Sequence, residues 1–312
     1  MPDVTCVGVL VADVIVRPVD TWPDPGRLVV VDRLEVHSGG LAHTTGVVLA
    51  KLGVPTAVVG RVGADLFGTY LIDVLRENRV EVHVGRDETI STSTAVVMVA
   101  SSGERSFLHL PGANTHLRRE DVPPALLARS RIMHLGGYFL LPGLDGVQAA
   151  ALFAQARAAG CRTSLDMAWD ARGRWMATLA PCLRHLDLLF GNRDELARVT
   201  GAEDPPRMAA HLRALGVGTV AVKLGEDGAY VDGESWRGRV PAFSVEVIDT
   251  TGAGDAFCGG FLTGYLAGWN LERTTRFANA VGAMCVSAMG GSTGISGMDE
   301  TLHFMDTASL RR

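Results

Sequence analysis

The sequence predicts an α/β fold: a doubly wound, mostly parallel sheet with a small β-sheet projecting from it as a lid. Three observations lead there. Short apolar runs alternate with helical patterns along most of the 312 residues, as expected for central strands with helices on both faces. Two segments break that rhythm with period-two alternation, the mark of antiparallel strands with one solvated face. The length suits one large α/β domain spanning residues 1–312, without a second core.

In chain order, Val4–Leu10 is an apolar run short enough for a strand, and Leu28–His37 alternates between apolar and polar residues. Ala42–Leu52 and Leu66–Asn78 have helical periodicity, with the strand Thr56–Gly60 between them. Ser93–Leu110 reads as two strands around the turn Ser101-Ser-Gly-Glu104, because a glycine turn between alternating runs predicts a hairpin. Strands Arg131–Leu135 and Thr163–Asp166 bracket the helix Gly146–Ala159. Strand Leu186–Phe190, helices Asp194–Thr200 and Pro206–Leu215, and strand Thr219–Lys223 follow. An apolar strand, Phe243–Ile248, then meets a glycine turn that opens the helix Gly254–Gly268. The two alternating segments, about 14–37 and 93–111, are inserted early and supply the lid.

Hydrophobic residues make up 47% and charged residues 20%, a composition that folds rather than staying disordered. The net charge of -5 argues against a nucleic-acid partner, which calls for clustered Lys and Arg. Five scattered cysteines (Cys6, Cys161, Cys182, Cys258 and Cys285) include no C-x-x-C pair and read as small buried residues. The start lacks a basic region and a cleavage site, so no signal peptide is expected. The uncharged stretches Ala256–Leu271 and Phe277–Met298 are interrupted by glycine and read as buried helices rather than membrane spans. The expectation is a cytoplasmic protein with no membrane partner.

The sharpest chemical signal is Asp249–Leu262, D-T-T-G-A-G-D-A-F-C-G-G-F-L. A turn opening a helix leaves the amides of Gly252, Ala253, Gly254 and Asp255 without helical acceptors, which makes an anion site at the positive end of the helix dipole. Asp255 caps that helix on the bland reading. On the sharper one it is a base beside the transferred phosphoryl group, where a low-pKa carboxylate suffices. Neither lysine, Lys51 or Lys223, sits in a Walker loop, and no G-x-G-x-x-G follows the first strand. A P-loop enzyme and a dinucleotide-binding oxidoreductase are thereby disfavoured.

On these residues the whole chain resembles the ribokinase (PfkB) family of carbohydrate and nucleoside kinases. The resemblance implies that Asp255 is the catalytic base and that Gly252, Ala253 and Gly254 form the anion hole. Asn192-Arg-Asp-Glu195 resembles the family's N-x-x-E motif, which organises Mg²⁺ through water; a helix N-cap is the bland reading. Lys223, Gly225 and Gly228, in Val222-Lys-Leu-Gly-Glu-Asp-Gly228, resemble the turn that lines the nucleotide, and Asn279 the residue that faces the base. Asp249 and Thr251 resemble positions that hold a monovalent cation, K⁺. Asp13, ending the first strand, resembles the aspartate that binds sugar hydroxyls, and Gly39 and Gly40 resemble the first glycine signature. Gly63-Ala-Asp65 with Gly68 fits the following loop.

The acceptor side departs from the pattern. Thr44, preceded by His43, stands where the family carries asparagine, and Leu41 stands where sugar-phosphate kinases often carry lysine. A phosphorylated sugar is therefore disfavoured. His43, Thr44 and Arg105 are candidate substrate contacts, with His109 and Asn114 reaching over from the lid and Tyr138 on the far wall.

The expectation is an ATP- and Mg²⁺-dependent phosphotransferase acting on a primary hydroxyl of a ribose- or fructose-like sugar. A nucleoside kinase with the same machinery and a non-catalytic sugar sensor are the alternatives. The lid sheets are expected to pair two copies into a homodimer.

Overall fold

A computed structural model describes residues 1–102 and 104–311. The strands are β1 (Val4–Gly8), β2 (Val11–Arg17), β3 (Arg33–Gly39), β4 (Thr56–Gly63), β5 (Glu81–Asp87), β6 (Thr94–Val99) and β7 (Arg105–Leu110). They continue as β8 (Ile132–Tyr138), β9 (Arg162–Met167), β10 (Leu188–Asn192), β11 (Thr219–Lys223), β12 (Ala229–Asp232) and β13 (Arg237–Val240). The helices are α1 (Leu41–Lys51), α2 (Leu66–Glu77), α3 (Pro124–Leu127), α4 (Gly146–Ala158) and α5 (Trp175–Leu183). After them come α6 (Arg193–Thr200), α7 (Pro205–Ala214), α8 (Ala253–Leu266), α9 (Leu271–Val286) and α10 (Met298–Thr307).

The large sheet has the order β13-β12-β11-β10-β9-β8-β1-β4-β5. It is parallel from β11 to β5 and antiparallel only at the β11-β12-β13 edge. Every residue of β1 and β8 is buried, because helices cover both faces, and such strands read as continuous apolar runs. On one face Cys6 and Ile132 pack with Leu49, Phe257 and Phe261. On the other, Val7, Met133 and Leu135 pack with Leu152, Phe153 and Leu183. All five cysteines are buried and free.

From β1 the chain winds outward through β4 to β5, and from β8 it winds the opposite way to β11. The order thus reverses between β1 and β8, and α/β sheets bind ligands outside the strand ends at such a point. A second sheet of order β3-β2-β6-β7 projects there, because β2 follows directly from the end of β1.

Two expectations change, and three strands went unread. The lid begins at Val11 rather than near residue 14, so Asp13 sits inside lid strand β2 and not at the end of a main-sheet strand. Phe243–Ile248 is not a strand: only Phe243 makes a bridge, to Leu310. Val247 and Ile248 are each 55% exposed, since their apolar side chains border clefts and not a core. The edge strands β5, β12 and β13 had no clear sequence signal, being short or half-exposed.

Candidate active site

The site is built where β1 hands over to the lid. Asp13 stands opposite His37 on β3, and a side-chain carbon on Gly39 would lie 2.0 Å from the Asp13 carboxylate. Glycine is therefore required for that carboxylate to lie across the β3–α1 junction. Burial pushes the Asp13 carboxyl up to about 7, opposed by His37 and reinforced by Asp249.

Across the cleft, the turn Asp249–Gly252 opens α8. Gly252 is its N-cap in the left-handed conformation, φ 75°, and a Cβ there would meet the Gly291 backbone at 2.5 Å. The first-turn amides of α8 belong to Ala253, Gly254 and Asp255; that of Ala253 makes a long bond to the Thr250 carbonyl at 3.4 Å, and helix geometry directs such amides toward an anion. α8 comes this close to its neighbours because Gly259 and Gly260 lack side chains: a Cβ would collide with Val48 of α1 at 2.6 Å and Val281 of α9 at 2.8 Å. Thr45 of α1 donates its hydroxyl to the Asp255 carbonyl at 3.2 Å, pinning the residue from behind.

Beneath the helix start lies the Lys223 ammonium, 3.1 Å from where a Cβ on Gly254 would be. It donates to Asp166 Oδ1 at 2.7 Å, while Asp166 Oδ2 is buried without a partner. Burial would lower the Lys223 pKa, but Asp166, Cys258 and Glu195 overcome it and hold the amine charged. Asp255 responds the other way. Burial, and then the nearby Asp166, push its carboxyl up to about 7, against the pull of Lys223. A carboxyl poised near neutrality beside a helix N-terminus and a fixed cation suits proton acceptance coupled to phosphoryl transfer.

The neighbouring cavity, about 550 Å³, is lined by Asn192, Lys223, Gly225, Gly228, Gly254 and Asn279, with Val245, Val247 and Phe257 as apolar walls. Asn279 donates to the carbonyls of Val240 and Pro241 at 3.0 and 3.1 Å, which fixes its amide at the rim. Asn192 and Glu195 form a reciprocal capping box at the start of α6, so the bland reading of this motif holds. Glu195 is nevertheless buried, and burial raises its carboxyl to about 7. Among the described residues no group of three His, Cys, Asp or Glu forms a metal cage. Mg²⁺ is commonly held by one or two carboxylates together with substrate phosphates, and the hard oxygens of Asn192 and Glu195 fit that manner of binding. Asp249 accepts the Thr251 amide at 2.9 Å and the Gly290 amide at 3.0 Å, which ties the turn to the chain after α9.

Several expected contacts fall elsewhere. His43 is fully buried, its Nε2 3.1 Å from the Leu71 carbonyl, and burial lowers its pKa to about 4. It faces α2, so it does not reach an acceptor. Thr44 is buried against Gly291. Asn114 is buried too, donating to the Leu10 carbonyl and Ser93 Oγ and accepting from the Leu10 amide; it staples the lid to β1. Tyr138 is a core residue whose hydroxyl donates to the Thr178 carbonyl at 2.7 Å. His109 borders a groove with Asp65, Leu66 and Phe67 on the lid's flank, while the register Asp13–Ala95–His109 sets it on the sheet face of Asp13. The backbone of Arg105 pairs with Val99, and its side chain lies outside the described part of the structure. Sequence reasoning missed Asp166 and Thr45. Asp166 had a signal in its place at the end of an apolar strand; Thr45 had none.

A helix start with a buried carboxyl raised toward neutrality, beside a charged lysine and a cavity of about 550 Å³, is an arrangement compatible with phosphoryl transfer. Residues 1–297 match the family model described as pfkB family carbohydrate kinase, and the chain belongs to that family. It is an ATP-dependent carbohydrate kinase. Aminoimidazole riboside kinase of Salmonella typhimurium is 31% identical over 87% of this chain and 89% of its own. Ribokinase of Haemophilus influenzae is 28% identical over 97% and 98% of the two chains. Among solved structures, Arabidopsis thaliana ribokinase complexed with ribose and ATP superposes with a TM-score of 0.84, at 26% identity over 97% and 98%. No described helix is long and apolar enough to cross a membrane.

Proposed function

We propose that this enzyme moves the γ-phosphate of ATP to a primary hydroxyl of a small sugar of ribose or fructose size. The observation that carries the reading is Asp255 in the first turn of α8, with the Lys223 ammonium beneath Gly254. Asp13, Gly39 and Gly40 orient the acceptor from the lid side, and Thr44 supports the junction. Asp255 accepts the hydroxyl proton as the new bond forms. The amides of Gly252, Ala253, Gly254 and Asp255, with Lys223, stabilise charge on the moving phosphoryl group. Asn192, Gly225, Gly228 and Asn279 hold the nucleotide. Asn192 and Glu195 would hold Mg²⁺, and the ion would supply charge neutralisation at the phosphates. Asp249 and Thr251 would hold a K⁺ ion beside the turn.

Relatives named ribokinase and fructokinase support a sugar acceptor. A nucleoside acceptor is the second reading, favoured by the cavity of about 710 Å³ under the lid, more space than a single sugar fills. Lid residues Val14, Val16, Leu34, Val36, Val96 and Leu108 share one sheet face, and Leu34 is 62% exposed. An apolar face of that kind suits a second copy of the chain. An enzyme drawing on ATP is placed by this reading in the cytoplasm.

The test is acceptor-dependent ADP release over a panel of sugars and nucleosides, with K⁺ or Na⁺ as the monovalent salt. Acceptor-dependent turnover that is faster in K⁺ is expected. No ADP release with any acceptor, with sugar binding retained, would point to the non-catalytic sugar-sensing alternative.

A further inference from the structure

The lid carries a charge pattern that a neutral sugar does not require. In the β2–β3 ladder Arg17 lies directly opposite Arg33, so both side chains leave the same face of the sheet. It is the face of Asp13 and Ile15, because alternate residues of a strand share a side. Like charges set opposite each other weaken a strand pair. Here neither arginine is paired with a carboxylate among the described residues, whereas Arg61, Arg131 and Arg162 each are.

Both arginines line the cavity of about 710 Å³ between the lid and Val247–Thr251. Its apolar lid wall is Ile15, Val97 and Val99. The inner part of the cleft is acidic, with Asp13, Asp166, Glu195 and Asp255 around Lys223. At the outer end the arginine pair shares the cavity with Asp32 and Asp249. Four residues of strand separate Asp13 from Arg17, roughly 13 Å at the usual rise, and the arginine arms reach back over part of that span. An acceptor whose hydroxyls meet Asp13 would present its far end to the pair. Arginine forks bind carboxylate or phosphate oxygens bidentately, and closure over such a group would remove the cross-strand repulsion. The nucleotide phosphates are already served by the α8 amides and Lys223.

We infer that Arg17 and Arg33 form a subsite for an anionic group on the acceptor, a carboxylate or a phosphate, remote from the hydroxyl that is phosphorylated. The acceptor is then an acid sugar or a sugar phosphate. The inference rests on the kinase reading for the identity of the cleft and refines its substrate. Leu41, partly buried against the core, carries no charge, so the expectation against a phosphorylated sugar drawn from that position is revised and the anion is assigned to the arginine pair.

The experiment compares matched acceptors: gluconate against glucitol, and fructose 6-phosphate against fructose, by ADP release. At least one anionic member is expected to exceed its neutral partner roughly 10- to 100-fold in kcat/KM, the value of hydrogen bonds to a charged group. Arg17→Ala and Arg33→Ala should each narrow that ratio, and Arg17→Lys should restore part of it, with KM for ATP unchanged. Which pair shows the preference separates carboxylate from phosphate. Neutral acceptors preferred in both pairs would overturn the inference, as would arginine variants that raise KM for ATP alone.

A second readout is independent of turnover. Asp255→Asn protein should gain thermal stability from gluconate or fructose 6-phosphate, and lose that gain when Arg17 and Arg33 are also replaced by Ala. Absence of any such shift also overturns the subsite. If no acceptor is turned over and the arginine-dependent shift remains, the kinase reading fails and the anion subsite stands.

Discussion

The two walls of the cleft are made differently. On the nucleotide wall, Lys223, Asp166, Glu195 and the start of α8 are locked by buried contacts, with glycines letting helices touch. On the acceptor wall, a four-stranded sheet stands away from the main core, and only its inner residues, such as Ile15 and Val97, are buried. Phosphoryl transfer needs donors held in place before the reaction, and a rigid wall supplies that. An acceptor must enter and be enclosed, which suits a lid that can move. On the proposed reading the difference makes chemistry and acceptor choice separable, and substitutions should divide along the same line.

The largest effect is expected on the rigid wall. Lys223→Met should lower kcat roughly 10²- to 10³-fold at saturating ATP, the usual cost of losing one transition-state donor. It should also destabilise the fold by about 3–5 kcal/mol, because Asp166 is left buried without its cation. Chemical denaturation checks the second part. Lys223→Met combined with Asp166→Leu should recover stability but not turnover, and recovery of both would break the distinction.

Gly39→Ala is the matching change on the lid side. Its Cβ would lie 2.0 Å from the Asp13 carboxylate, and misplacement of about 1 Å in a site can cost roughly 10²-fold. KM for the acceptor should rise roughly 10- to 100-fold while KM for ATP stays put. A rise in both would join the two walls again.

The pH dependence reports on both. Asp255 is raised from 3.8 to about 7, and a base must be unprotonated to work. The acidic limb of kcat/KM should therefore fall near pH 7, about two units or more above that of an ordinary carboxylate. Asp13 and Glu195 are raised to about 7 as well. Between about pH 4 and 7 the folded state then holds more protons than the unfolded chain, so these groups make stability fall as pH rises through that window. Thermal denaturation of the unliganded enzyme at pH 5.5 and 8 checks the sign. The smallest effect on rate is expected from Leu34→Glu with Leu108→Glu on the lid's outer face. Light scattering should show the dimer lost, with turnover changed only a few-fold.

What the sequence could say follows from how local each feature is. Asp249–Asp255 was legible as a glycine turn opening a helix, because that geometry lies within one short stretch of chain. The alternation of strands and helices likewise foretold the parallel sheet and its two covered faces. Asp166 was not singled out, since its role arises from Lys223, 57 residues away. His43 and Thr45 show the limit of reading a helix without its partners: the rotation of α1 sends His43 toward Leu71 and Thr45 toward Asp255. Phe243–Ile248 misled for a different reason. Its apolar residues wall a ligand cavity, and periodicity cannot separate that from a strand.

The most direct test of the central claim is Asp255→Asn, with ATP affinity by calorimetry and acceptor-dependent ADP release measured on the same protein. The account predicts an ATP Kd within about twofold of the wild type and a kcat lower by roughly 10²- to 10⁴-fold, the range for loss of a general base. Turnover within a few-fold of the wild type would contradict it and remove Asp255 from the chemistry.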